Sequence, residues 1–203
     1  LHIILDPNSK EQVLILDKSE MVGSLMLNKY PNVFNGKIGL LNDFEHKIIL
    51  KDNAIPIVHK VRNVPIALRK EVATELERLV NEGVIEPIES SEWIAPLVVV
   101  RKSNGKIRLC IDLRSLNGNI LIDRFPLPRI NELLSLSKGM NFFSSVDLSA
   151  AYHQVPLHES CKKYTAFISQ EGCFQFRRMP LGLASAAAVF QRLISHLFCK
   201  VEG

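Results

Sequence analysis

The sequence predicts an α+β fold, and three observations carry that prediction. A helix-period apolar stripe runs from Ile66 to Val80, an Asn104-Gly105 pair separates two β-rich runs, and short strand and helix patterns alternate after it. No internal repeat or low-complexity tract interrupts this order.

The first 60 residues are the least informative, with short apolar runs, scattered Gly and Pro, and no strong period. Residues 11–30 are compatible with a helix, although Gly23 opposes it, and 41–50 end in a strand pattern. Residues 51–65 read as extended chain punctuated by Pro56 and Pro65. From Ile66 the period changes: Leu68, Val72, Leu76, Leu79 and Val80 share one helical face, and charged side chains cover the other as a solvated surface. Pro65 suits the entry of this helix, and Gly83 supplies the left-handed residue past its end.

Residues 93–101 and 107–112 then flank Lys102-Ser103-Asn104-Gly105-Lys106, a strong hairpin signal. The second strand alternates, with Ile107, Leu109, Ile111 and Leu113 on one side and Lys106, Arg108, Cys110 and Asp112 on the other. Asn117-Gly118-Asn119 reads as a turn, and 123–128 are extended because residues before Pro avoid the helical region. Residues 129–137 predict a helix with Ile130, Leu133 and Leu134 inward and Gly139 as terminator. Residues 142–146, aromatic and β-branched, predict a buried strand ending on Asp147. A second hairpin is expected from 164–168 and 173–177 across Gln170-Glu171-Gly172. A last helix begins near Ser185, with Phe190, Leu193, Ile194, Leu197 and Val201 on its apolar face.

At 203 residues, with 47% hydrophobic and 23% charged residues, the chain is long enough to bury a core as one large domain or two small lobes. No run approaches the roughly 20 apolar residues of a membrane span, and the apolar start is too short for a signal peptide, so an intracellular protein is expected. A start on Leu and a stop at Gly203 with no closing element suggest a fragment. Cys110, Cys161, Cys173 and Cys199 lack metal-type spacing and sit among apolar neighbours, which reads as reduced core thiols. The charge is uneven: residues 93–114 carry 5 basic side chains against 1 acidic, whereas residues 1–92 carry 11 against 14. Basic residues concentrated on one hairpin point to a polyanionic partner.

Two local readings stay open on the residues alone. Asp147 either caps the turn into Ser149-Ala150-Ala151 or faces a cleft as a ligand for Mg²⁺, a hard cation served by one or two carboxylates. Lys102, Lys106 and Arg108 either protect a sheet edge or form a basic flap that grips a triphosphate.

A series of segments in register resembles the reverse transcriptase of gypsy-like long-terminal-repeat retrotransposons and, more distantly, retroviral polymerases. It opens with Gly83-Val84-Ile85-Glu86-Pro87, Ser91-Glu92-Trp93, and Arg108-Leu109-Cys110-Ile111-Asp112-Leu113-Arg114-Ser115-Leu116-Asn117. Pro126-Leu127-Pro128-Arg129-Ile130 and Val146-Asp147-Leu148-Ser149-Ala150-Ala151-Tyr152-His153-Gln154 continue it. Thr165-Ala166-Phe167, Arg178-Met179-Pro180-Leu181-Gly182-Leu183 and Val189-Phe190-Gln191-Arg192 complete it, so that it spans about residues 40–203.

The resemblance implies an RNA-directed DNA polymerase, a nucleotidyltransferase of a retrotransposon Pol polyprotein. Its fold would be right-hand polymerase fingers (about 60–128 and 157–180) with a partial palm (about 129–156 and 181–203) behind a linker over 1–40. By position in the family pattern, Asp147 is the catalytic carboxylate and, with Leu148, a metal position for Mg²⁺. Lys102, Lys106 and Arg108 contact the triphosphate, Ala151 and Tyr152 lie by the incoming sugar, and Leu181 and Gly182 floor the nucleotide pocket. On the residues alone, Tyr152 is equally a core tyrosine. The implied partners are an RNA or DNA template with primer and deoxynucleoside triphosphates, with ribonuclease H and integrase domains on the full polyprotein and no membrane. A cytoplasmic particle or the nucleus is the expected location.

Two departures touch the pocket: Leu181 replaces a frequent Phe or Gln, and Ala186-Ala187-Ala188 replaces Ala-Pro-Ala. A third touches the metal site. The family completes it with two aspartates from a later aromatic-x-Asp-Asp hairpin, no Asp-Asp pair occurs here, and the fold would be truncated just before that hairpin. The expectation is that these 203 residues alone do not polymerise; the alternative is a non-catalytic nucleic-acid-binding remnant.

Overall fold

The structure, a computed structural model, describes residues 27–101, 103, 105–136, 138, 139 and 147–199. The predicted strand at 142–146, most of the possible helix at 11–30, Lys102 and Val201 lie outside the described residues. The chain forms two compact units, one of residues 40–127 with 152–203 and one of 1–39 with 128–151.

The larger unit is organised around a five-stranded mixed sheet of order β1-β5-β4-β2-β3. Helix α1 (Ile66–Asn81) buries Val72, Leu76 and Leu79, the stripe its spacing predicts. Its end is closed by Gly83 at φ +65°, whose N–H donates to Val80 O while that of Val84 reaches Leu79 O, a left-handed cap that suits glycine. The chain runs straight into β1 (Ile85–Ile88), an edge strand that tolerates Pro87 and was not expected.

Strands β2 (Ala95–Arg101) and β3 (Ile107–Ile111) pair antiparallel from Leu97↔Ile111 to Arg101↔Ile107, the hairpin expected around Gly105, which holds φ +79°. β2 is buried at its start and exposed at its end, so the hairpin tip projects from the core. β4 (Phe167–Ser169) lies parallel to β2 and antiparallel to β5 (Gly172–Phe176), and β5 pairs with β1. Phe167 stacks on Phe174 at 5.7 Å and packs against Phe176 at 5.5 Å, and His153 stacks on Phe176 at 6.0 Å.

Several expectations need correction. Tyr164 and Thr165 do not start the second hairpin but close a 3-10 segment (Glu159–Thr165). The fully buried Thr165 hydroxyl donates to Lys162 O at 2.7 Å and accepts from Phe176 N–H at 3.1 Å, bonds that hold it out of the ladder. Residues 41–50 contribute only isolated bridges, His46↔Leu157 and Leu50↔Ile120. Asn117-Gly118-Asn119 is not a turn: it ends helix α2 (Arg114–Asn119). Cys199 is exposed rather than a core thiol, whereas Cys161 is buried and Cys110 and Cys173 are half-buried; all four are free.

The last helix, α4 (Ala186–Leu197), buries Ala186, Ala188 and Val189 and half-buries Phe190, Leu193 and Ile194, while Leu197 is exposed. In the smaller unit, helix α3 (Ile130–Leu136) forms as its spacing predicts. Ile130, Leu133 and Leu134 are nevertheless 74%, 48% and 66% exposed, not inward, because no described element covers that stripe. No described helix is long and apolar enough to cross a membrane.

Candidate nucleotide and nucleic-acid site

Arg108 lies on the exposed face of β3 opposite Val100, and Lys106 is exposed just past Gly105 in the hairpin turn. Alternation dictates this: Leu109 and Ile111 turn toward the interior, which leaves Arg108 outward. At the base of the same strand, Asp112 is gripped by Arg62 at 2.8 Å and Arg114 at 2.7 Å. The hydrogen bonds from the Arg114 guanidinium hold its carboxyl well below the usual carboxylate range. This clamp fastens the extended 51–65 segment to the end of β3.

Leu181 and Gly182 form an exposed turn between two anchors, the fully buried Pro180 and the buried Leu183. Gly182 holds φ +90°, and a Cβ there would sit 3.6 Å from Ile111 O, so the turn rests on the root of the basic hairpin. Leu181 also lines a small cavity with Leu109, Cys110, His153 and Phe176. The larger unit thus brings the strand bearing Arg108 together with the Leu181-Gly182 turn.

Tyr152 lies in a 3-10 segment (Ala151–Gln154), half-buried, its ring edge-on to Phe190 at 5.6 Å. That segment is pinned by Arg178, which donates to His153 O at 3.2 Å and to Gly83 O and Glu82 O at 3.1 Å each. Among the described residues His153 Nδ1 has no hydrogen-bond partner, and burial keeps the ring below its ordinary pKa.

Asp147, Leu148 and Ala151 fall in the smaller unit. Asp147 and Leu148 are exposed and not packed in apolar surroundings, and Ala150 just beyond them holds φ +49°, a left-handed conformation uncommon for a residue with a Cβ. A divalent hard cation needs several oxygen ligands. Asp147 offers one carboxylate, and the described residues contain no group of three or more His, Cys, Asp or Glu able to hold a metal.

Two features escaped the sequence reading. One is the Arg62-Asp112-Arg114 clamp, whose partners lie 50 residues apart for Arg62. The other is Asn117, whose carboxamide reaches across 65 residues to the Leu181-Gly182 turn. Its sequence signals, the end of the Arg108–Asn117 motif segment and an Asn-Gly pair that reads as local turn chemistry, do not point to so distant a contact.

The architecture is that of a polymerase. The chain superposes with a TM-score of 0.77 on the crystal structure of prototype foamy virus protease-reverse transcriptase, at 21% identity, covering 98% of this chain and 28% of that one. It matches foamy viral protease-reverse transcriptase in complex with an RNA/DNA hybrid at a TM-score of 0.73 and 17% identity, over 99% of this chain and 26% of that one. A family described as "Reverse transcriptase (RNA-dependent DNA polymerase)" matches residues 100–203. The chain belongs to this reverse transcriptase family. Its relatives include the retrovirus-related Pol polyprotein from transposon 412 of Drosophila melanogaster, 31% identical over 91% of this chain and 15% of that one. The corresponding polyprotein from transposon gypsy of the same species is 36% identical over 65% of this chain and 13% of that one. The chain thus spans a small part of the length of the curated relatives it matches.

Proposed function

We propose that these residues are the fingers (about 60–128 and 157–180) and part of the palm (about 129–156 and 181–203) of a retrotransposon reverse transcriptase, behind a linker over 1–40. In this reading the domain extends a primer 3′-hydroxyl with deoxynucleotides along an RNA or DNA template. Lys102, Lys106 and Arg108 meet the triphosphate, Ala151 and Tyr152 border the incoming sugar, and Leu181 and Gly182 floor the pocket. Asp147 and Leu148 take part in binding Mg²⁺, completed by carboxylates from outside residues 1–203; the ion would lower the pKa of the attacking hydroxyl and neutralise phosphate charge.

One observation carries the reading furthest: the Leu181-Gly182 turn, more than 70 positions from Arg108 in sequence, rests on the strand that bears Arg108, where Gly182 meets Ile111 O three residues further along. A guanidinium on the strand against which an open backbone turn rests suits a triphosphate, since Arg forks onto phosphate oxygens. The test is primer extension with the Pol chain that carries these residues. Asp147→Asn is expected to reduce deoxynucleotide addition to background while primer-template binding persists; undiminished synthesis would remove Asp147 from the chemistry.

A second reading, a nucleic-acid-binding piece without turnover, is favoured by the lack of a metal-binding group among the described residues. It applies to residues 1–203 taken alone, which are expected to bind primer-template without extending it. Lys106→Ala and Arg108→Ala should each flatten the dependence of log affinity on log salt by about one unit. Salt-independent binding, or none, would remove the basic hairpin from the interface.

A further inference from the structure

We infer that Asn117 is a positioning residue for the nucleotide pocket, setting the backbone of the Leu181-Gly182 turn from a distance in sequence. Its Nδ2 donates to Gly182 O at 2.9 Å, and its Oδ1 accepts from Ala184 N–H at 2.9 Å. Because the Ala184 group that meets the carboxamide is an N–H and the Gly182 group a carbonyl, the oxygen must face the former and the nitrogen the latter, and the two bonds together fix the orientation of the carboxamide.

The turn depends on this side chain. Upstream, Met179 N–H donates to Val155 O; downstream, Ala186 N–H donates to Leu183 O. Between them Pro180 has no N–H, and the two bonds from Asn117 tie Gly182 and Ala184 to α2. Gly182 can rotate through conformations closed to other residues, so its φ of +90° needs an outside constraint. The carboxamide supplies it at the carbonyl of that same glycine.

The sequence also bears a cost for this arrangement. Asn117 and Gly118 sit inside α2, a six-residue helix, where both are poor formers, Gly by roughly 1 kcal/mol relative to Ala. Neighbouring groups of the helix are used elsewhere: Asn119 Oδ1 accepts from Ile55 N–H at 3.1 Å, and Gly118 O accepts from Lys51 Nζ at 2.7 Å. The helix is a hydrogen-bonding hub whose last three residues serve two different segments. Asn117 holds the pocket turn and Asn119 the extended segment before α1.

This inference rests on the reading of Leu181 and Gly182 as pocket residues. In the Pol chain that carries these residues, bound to primer-template, Asn117→Ala is expected to raise the KM for the incoming deoxynucleotide roughly tenfold, the scale of two lost hydrogen bonds, with primer-template affinity changed less than about twofold. Asn119→Ala, on the same helix, is expected to lower the thermal midpoint and leave that KM unchanged. Equal KM effects from the two variants, or none from Asn117→Ala, would overturn the assignment. Amide exchange at Ala184 reads the contact without catalysis: protection should fall roughly tenfold in Asn117→Ala and persist in Asn119→Ala. Unchanged protection in Asn117→Ala overturns the positioning role. A parent chain that extends no primer overturns the polymerase reading instead, and with it any part for Asn117 in nucleotide binding.

Discussion

Helices α1 and α3 are written in the same code and meet different fates. Each repeats apolar residues at helical spacing, and each forms a helix. In α1 the stripe disappears into the core, with Leu76 2% exposed; in α3 Leu134 remains 66% exposed. Periodicity states that a stripe exists and says nothing about what covers it. The larger unit supplies a cover for α1 in a five-stranded sheet, and the described part of the smaller unit supplies none for α3.

Truncating the two stripes should give the largest contrast. Leu76→Ala is expected to cost about 3 kcal/mol in the unfolding free energy of residues 1–203, since it removes buried methyl groups and leaves a cavity. Leu134→Ala should stay within about 0.5 kcal/mol. Denaturant titration reads both, and a comparable loss at Leu134 would show that something covers α3 after all.

A smaller effect comes from pH. In the larger unit His46 is buried and His153 half-buried, and desolvation lowers both below the ordinary 6.5. The unfolded chain therefore takes up protons that the folded chain refuses. Stability is full above pH 6.5 and declines as pH falls toward the folded values. Urea midpoints at pH 7.5 and 5.5 should differ accordingly, and the double variant His46→Gln, His153→Gln should narrow the gap. A flat profile in the parent would place both rings within reach of water.

Smaller still, and further down the scale, is Asp112. Its folded pKa lies below the ordinary 3.8, so the clamp contributes above that value and is lost only as pH falls below it. With Arg62 and Arg114 facing solvent, Asp112→Asn should cost no more than about 1 kcal/mol at pH 7. A steeper loss would mean that the clamp carries more of the 51–65 segment than its exposure suggests.

Much of the architecture was legible because its signals are local. The Asn104-Gly105 hairpin, Gly83 as a helix stop and the stripe of α1 each depend on residues within one or two turns of chain. β1 was missed because Pro87 argues against a strand until the strand is known to be an edge. Thr165 was misread because its β propensity yields to two tertiary hydrogen bonds from a buried hydroxyl. For the candidate site, the motif series marks Asp147, Tyr152, Arg108 and Leu181-Gly182; it includes Asn117 without showing what that side chain holds, and Arg62 lies outside it.

By itself the sequence determined helix α1 with its glycine stop, the basic hairpin, the last helix and the family the chain belongs to, because these follow from spacing and from residue types read in order. The tertiary structure alone decided that the Leu181-Gly182 turn meets β3 at Ile111, that Asn117 ties this turn to α2, and that among the described residues the apolar face of α3 stays exposed. The physical reason is one of range. Propensity and periodicity act over a few residues, whereas a carboxamide donating across 65 positions, or a sheet closing over one helix and not another, exists only once distant chain has been brought together.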